Sequence, residues 1–216
     1  MSDRMIVTKH LSRPAARILS VSLPRLPVNR YARAGIAVDE APFAVTGEEK
    51  GARRLSCVSA AAATAGLRAG MSLAEGRGTC PALVTLPQDP ARERALLQAL
   101  QRWAGRFSPW TAGDGDDGLL LNITGCAHLF GGEEALLADA LDRLERQGFA
   151  VRGAIADTPG AAWAVARYGD GGSIAPGRQE EALASLPLAA LRLDVDVVEG
   201  LERVGLSRIG DIATRP

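Results

Sequence analysis

One short stretch holds residues from which metal-assisted phosphoryl transfer could be built, and it is short of carboxylates. In Asp116-Asp117-Gly118-Leu119-Leu120-Leu121-Asn122-Ile123-Thr124-Gly125 an acidic, glycine-rich turn opens into an apolar run that ends at Thr-Gly. That pattern is a buried strand with carboxylates at its mouth. Carboxylates so placed can hold Mg²⁺, an ion that takes oxygen ligands and keeps substrate phosphates in its shell. In Ile18-Leu19-Ser20-Val21-Ser22-Leu23-Pro24-Arg25-Leu26 a second apolar strand candidate carries no acid at all.

The first stretch resembles a segment of the Y-family (UmuC-type, translesion) DNA polymerases that reads Ser-x-Asp-Glu-Ala-Phe-Leu-Asp-Val-Thr-Gly. On that pattern Asp117 matches the aspartate and Gly118 replaces the glutamate. The second resembles the family's first strand, where an apolar pair precedes His-x-Asp-x-Asp-x-Phe-Phe; Ser22 and Pro24 stand at the two aspartates. Gly66-Leu67-Arg68-Ala69-Gly70-Met71-Ser72-Leu73-Ala74-Glu75, followed by Cys80-Pro81, is similar to the family's Gly-[Ile/Val]-x-x-Gly-Met-x-x-x-Glu-Ala segment with its Cys-Pro. Upstream, where the family's Ser-Tyr-x-Ala-Arg grips a triphosphate, this chain has Ala60 and Ala63. Within the family the chain is most similar to the ImuB-like, catalytically degenerate branch, through stretches such as Asn122 to Gly132 and Ala156 to Ala164, and the likeness runs from about Ala16 onward.

Independently of any family, two-metal chemistry needs carboxylates that bridge ions roughly 3.5–4 Å apart, so that attacking and leaving oxygens are both stabilised. One aspartate cannot clamp two such ions. Ser22 is neutral, Pro24 offers only its carbonyl and Gly118 has no side chain. Against the family pattern the chain lacks three carboxylates, which would leave two divalent cations largely uncompensated in a partly desolvated site. The sequence therefore predicts no catalytic residues, no metal and no cofactor. Mg²⁺ enters only under the alternative of an active translesion polymerase, in which Asp114 or Asp116 would substitute for the missing ligands.

The 216 residues carry 25 basic and 25 acidic side chains, and 47% are of hydrophobic type. Such a chain can bury a sizeable core and exerts no overall pull on phosphate, so DNA contact must come from local patches or partners. The three cysteines, Cys57, Cys80 and Cys126, form no CxxC and are expected as buried thiols. Met1 to Arg17 is polar and basic, unlike a signal peptide or membrane span, and the expected location is cytoplasmic.

The elements that must position these residues read as an α+β fold. Strands are expected at Ile18 to Leu26, Gly35 to Val38, Phe43 to Val45, Leu55 to Ser59, Leu119 to Ile123 and Val151 to Ala156. Helices are expected at Ala60 to Ala65, Ser72 to Cys80, from Asp89-Pro90 onward, Glu133 to Gln147 and Gly160 to Tyr168. Leu96, Leu100, Trp103 and Phe107 recur at helical spacing, as do Leu137, Leu141 and Leu144. The order suits a sheet covered on one face by helices. The resemblance makes this a polymerase palm over 16–170, after an N-terminal tail at 1–15, with a small fingers region inserted at about 43–86. A Gly-rich linker at Tyr168 to Gln179 leads to a partial, short helical thumb at 180–216.

In the thumb, Leu201 to Ala213 resembles a helix-hairpin-helix. A glycine turn of that kind offers backbone N–H groups to a DNA phosphate, making Gly205, Ser207 and Gly210 the DNA-contact candidates. Asp114, Asp116 and Asp117 open like a calcium loop, but Gly125 stands where its closing glutamate belongs. His10 and His128 are far apart, His128 is expected to pack against its turn, and Cys126 adds too few ligands for zinc. Ser22 beside Ser20 lacks the glycine-flanked elbow of a nucleophile. Arg25, Arg30, Arg33, Arg53 and Arg54 are expected as a solvated basic face, and Trp103, Trp110 and Trp163 as core anchors.

The resemblance implies a non-catalytic scaffold in bacterial DNA-damage tolerance and induced mutagenesis. Its implied partners are DNA, a RecA-like ImuA-type protein, the sliding clamp and an error-prone C-family DNA polymerase. A small-molecule α/β enzyme that merely shares motifs is the third reading, and a polar-lined ligand pocket would mark it.

Overall fold

The computed structural model describes residues 16–38, 40–49 and 51–213. His10 and the whole expected N-terminal tail, 1–15, lie outside them. In chain order the elements are β1 Ile18–Ser22, α1 Leu26–Arg33, β2 Phe43–Glu49, β3 Ala52–Val58, α2 Ala60–Thr64, α3 Leu73–Thr79, β4 Val84–Pro87 and α4 Pro90–Ala104. These are followed by β5 Thr111–Asp114, β6 Gly118–Asn122, α5 Glu133–Glu145, β7 Arg152–Ala156, α6 Pro159–Tyr168, β8 Gly172–Ser173, α7 Gln179–Ala184, α8 Val195–Arg203 and α9 Ile209–Ala213. Short 3-10 turns lie at Ala127–Phe130 and Leu188–Leu191. No described helix is long and apolar enough to cross a membrane.

A five-stranded sheet in the order β5-β6-β1-β7-β8 forms the main body, and a three-stranded sheet, β3-β2-β4, forms a smaller unit. In the main sheet β1 runs antiparallel to both β6 and β7. Alternation along the strands sends side chains to two opposite covers. Leu19, Val21, Leu119, Leu121 and Ile155 pack with Leu97 and Leu100 of α4 and Leu136 and Leu144 of α5. Ile18 and Ala156 pack instead with Ala161 and Ala162 of α6. Helices thus cover both faces, where the sequence suggested one. The small, alanine-rich surface of α6 lets that helix lie close against strands whose residues there are Ser20, Ser22, Gly118 and Ala154.

Local signals account for most boundaries. Asp89 caps α4 by accepting from the Arg92 N–H at 3.1 Å, and Thr158 caps α6 through the Ala161 N–H at 3.2 Å. Ser72 and Glu75 form a reciprocal capping box at the start of α3. The buried stripe of α4 runs through Leu97, Leu100 and Ala104; Leu96 and Trp103 are only partly buried. Gly35 to Val38 is not a strand. Gly35 sits at φ 83, and the segment is a turn after α1 closed by the Val38 N–H bond to the Ile36 carbonyl. The first strand also stops earlier than expected, at Ser22, because Leu26 already opens α1.

Arg17 ties the sheet to its surroundings. Its side chain is 9% exposed and donates to both Glu133 oxygens at 2.7 and 2.5 Å, to Asp157 at 2.6 Å and to the Ile174 carbonyl at 2.7 Å. One guanidinium thereby joins the start of β1 to the first turn of α5, the loop before α6 and the segment after β8.

Candidate active site

The sheet register brings the sequence's candidate ligand positions together. Ser22 at the end of β1 is the direct antiparallel partner of Gly118 at the start of β6, and its other neighbour is Arg152 on β7. The Leu23 N–H bonds to the Asp117 carbonyl at 2.7 Å, which extends the pairing by one step and sets Asp117 at the mouth of β6. Pro24 is exposed, one turn before α1, so three of the four positions share one corner of the sheet and the fourth borders it. Ser22 itself is 2% exposed.

A guanidinium occupies that corner. Arg167, in the last turn of α6, donates to both Asp117 oxygens at 2.7 and 2.6 Å, the fork-to-fork geometry that adds direction to charge. Its side chain is 17% exposed. A Cβ placed on Gly118 would lie 2.7 Å from the Asp114 carbonyl oxygen and 3.1 Å from Nη2 of Arg167. Glycine is therefore what the packing admits here; a longer side chain would have to displace backbone. Burial opposes the charge on Arg167, but the Asp117 carboxylate more than offsets it and holds the guanidinium cationic.

The other acids are also engaged or remote. Asp114 accepts from Nη1 and Nη2 of Arg192 at 3.0 and 2.6 Å. Asp116 lies in the exposed turn. Among the described residues no group of three or more His, Cys, Asp or Glu side chains converges as metal ligands. The residues present do not fit a two-Mg²⁺ centre: Ser22 and Gly118 are neutral, and the two nearby carboxylates, Asp117 and Asp114, are each held by an internal arginine.

A cleft of about 380 Å³ lies between the main body and the smaller sheet, lined by Pro24, Arg25, Ser56, Cys57, Ala69 and Arg152 among others. Ala60 and Ala63 sit nearby in sequence on α2, both exposed, with no group able to bind phosphate. Arg30 departs from the expected solvated face. Its side chain is 10% exposed, 4.0 Å from Glu93, and lies over the Tyr31 ring at 3.9 Å. Arg33 donates to the Gln147 carbonyl, and Arg54 to that of Gly70. Cys57 and Cys80 are buried thiols and Cys126 is half-buried; burial pushes the Cys57 thiol upward. His128 is exposed, not packed. Trp110 is 72% exposed and anchors no core.

In the hairpin-like segment, Gly205 takes φ 83 and makes the turn between α8 and α9. Every amide from Gly205 to Ile209 donates within the chain. Gly205 bonds Glu202, Leu206 bonds Leu201, Ser207 and Arg208 share an Asp211 oxygen at 2.9 Å each, and Ile209 bonds Leu186. Gly210 faces α7, where a Cβ would meet the Ala184 carbonyl at 3.0 Å.

The sequence pointed to Ser22, Pro24, Asp117 and Gly118 but gave no sign of Arg167, Arg192 or Arg17. The pairs join residues 50, 78 and 116 apart, and an arginine in a helix's last turn reads only as a complement to its dipole.

Comparison with known proteins agrees with this architecture. The chain is 52% identical over 152 residues to Protein ImuB of Caulobacter vibrioides, a match that covers 70% of this chain and 33% of that protein. It thus spans about a third of the curated relatives' length. Among solved structures, the insertion ternary complex of Dbh DNA polymerase superposes with a TM-score of 0.77 at 15% identity, over 93% of this chain and 61% of that one. DinB from Sulfolobus solfataricus gives 0.72 at 15% identity, over 93% and 60%. At such identity these two establish the fold, an α+β palm with fingers. The sequence model of the impB/mucB/samB family matches residues 29–167, a span that contains β6, Asp117, Gly118 and Arg167, and the chain belongs to that family.

Proposed function

We propose that this chain is the body of a non-catalytic polymerase-like scaffold in bacterial DNA-damage tolerance and induced mutagenesis. The observation that carries the reading is Arg167, whose guanidinium engages Asp117 and crowds the position where a glutamate would replace Gly118. A fixed internal cation satisfies the one retained carboxylate, so the corner is charge-balanced without divalent ions. In this reading 16–170 is the palm with fingers at about 43–86, and 180–216 begins the thumb.

Partners would supply what the chain lacks: a RecA-like ImuA-type protein, the sliding clamp and an error-prone C-family DNA polymerase, in the cytoplasm. DNA contact by this chain alone would be weak. At Gly205, Ser207 and Gly210 it would require a phosphate to displace Asp211 from the Ser207 and Arg208 amides. The relocated-ligand polymerase is disfavoured by the Arg192 grip on Asp114.

The test is primer extension with the purified chain, all four deoxynucleotides and Mg²⁺ or Mn²⁺. The expected outcome is no incorporation and no saturable nucleotide binding. Saturable incorporation that disappears in Asp117→Asn would overturn the proposal.

A further inference from the structure

A second arginine holds a carboxylate at the same end of the sheet, and this one comes from the thumb. Asp114, which ends β5, has a side chain only 10% exposed, and both its oxygens are gripped by Arg192. The Arg192 guanidinium also lies over the Trp163 ring of α6, 4.1 Å from its centroid, an arrangement in which the ring face attracts the cation. Arg192 closes the 3-10 turn Leu188–Leu191 with φ 58 and ψ 30. Among the described residues it is the one non-glycine position with positive φ, a conformation disfavoured for any residue that carries a Cβ.

That position is where the chain leaves the body. Leu188 and Ala190 before it are buried, while α8 after it has no buried residue and exposes Val195 and Val197. The chain rejoins the body at Leu206–Ile209, through the Ser207 carbonyl bonded by the Leu188 N–H and the Ile209 N–H bonded to Leu186, and between these points α8 touches it at the Leu188–Leu191 turn. With no buried residue of its own and contact chiefly with that neighbouring turn, α8 depends for its direction on the backbone course at residue 192.

We propose that Arg192 is a latch: its hold on Asp114 and Trp163 keeps residue 192 left-handed and fixes the course of α8 relative to the palm. The inference extends the reading of the palm as a metal-free structural body but stands on separate contacts. Primer extension tests that reading and is blind to the latch.

Hydrogen exchange followed by mass spectrometry tests it on the chain and two variants. Arg192→Gly removes the grip while relieving the backbone, and Asp114→Asn weakens the grip without touching residue 192. Both are expected to raise exchange across Val195–Arg203 about tenfold, the equivalent of ~1.4 kcal/mol of local opening. Protection in β1, β6 and β7 should be unchanged. Wild-type exchange in α8 of both variants overturns the proposal, since a backbone freed of strain would then lose nothing with the side chain. Loss of protection spread evenly through the sheet overturns it too, because the contact would then support the whole fold and not one helix.

Discussion

The double variant Ser22→Asp, Gly118→Glu will extend no primer and will melt roughly 6–12 °C below the parent chain, taking about 3 kcal/mol of lost stability and roughly 2–4 °C per kcal/mol for a domain of this size. The loss has two sources. The new Cβ at position 118 would sit 2.7 Å from a backbone carbonyl, so β6 or the preceding turn must move. Two further carboxylates would enter a corner where Ser22 is 2% exposed and Arg167 already spends both forks on Asp117. Buried charge without a matched partner is costly. Even a folded variant would keep Pro24, Ala60 and Ala63, so the triphosphate would have no grip. Thermal unfolding and primer extension on one preparation check both halves; an unchanged melting temperature or measurable incorporation would contradict the packing argument.

Arg17→Met is expected to cost about 3–5 kcal/mol, the range for breaking a buried ion pair from one side, with the lower end favoured because Glu133 and Asp157 keep some solvent contact. Their side chains are 27% and 18% exposed. The effect has a pH signature. Hydrogen bonding from Arg17 holds the Glu133 carboxyl below its usual range, and the Gly177 N–H, then Arg17, does the same for Asp157. Because the folded values are depressed, the unfolded chain binds more protons as the medium acidifies, and the stabilisation is complete only above the ordinary carboxylate range. It should fall from about pH 5 downward in the parent chain. In Arg17→Met that slope should flatten. Urea unfolding at pH 7, 5 and 4 reads both effects, and a variant as acid-sensitive as the parent would show that the network is not the source.

Much of the order of elements was legible because it rests on local chemistry, but α1 and the short strands β4, β5 and β8 were not expected. Asp89-Pro90 starts α4, Ser72 and Glu75 close on each other at α3, and Gly148, at φ 84, follows the last turn of α5. What failed were short apolar stretches without a second cue. Gly35 to Val38 has the composition of a strand, yet no neighbouring strand pairs with it after the turn at Gly35. Trp110 reads as core by type, but it sits just before the edge strand β5 and stays exposed. Of the candidate site, the positions were legible: the register does bring Ser22, Asp117 and Gly118 to one corner, with Pro24 at its border. The partner of Asp117 was not, since Arg167 arrives from a helix 50 residues later and only the folded sheet brings them together.

The claim that an internal guanidinium has taken the place of divalent ions is tested most directly by Mn²⁺ binding. Electron paramagnetic resonance of the chain titrated with Mn²⁺, alone and with primer-template and deoxynucleotide, should show free-ion signal throughout, with no site that responds to Asp117→Asn. Two bound ions whose signals couple, and which vanish in that variant, would contradict the account.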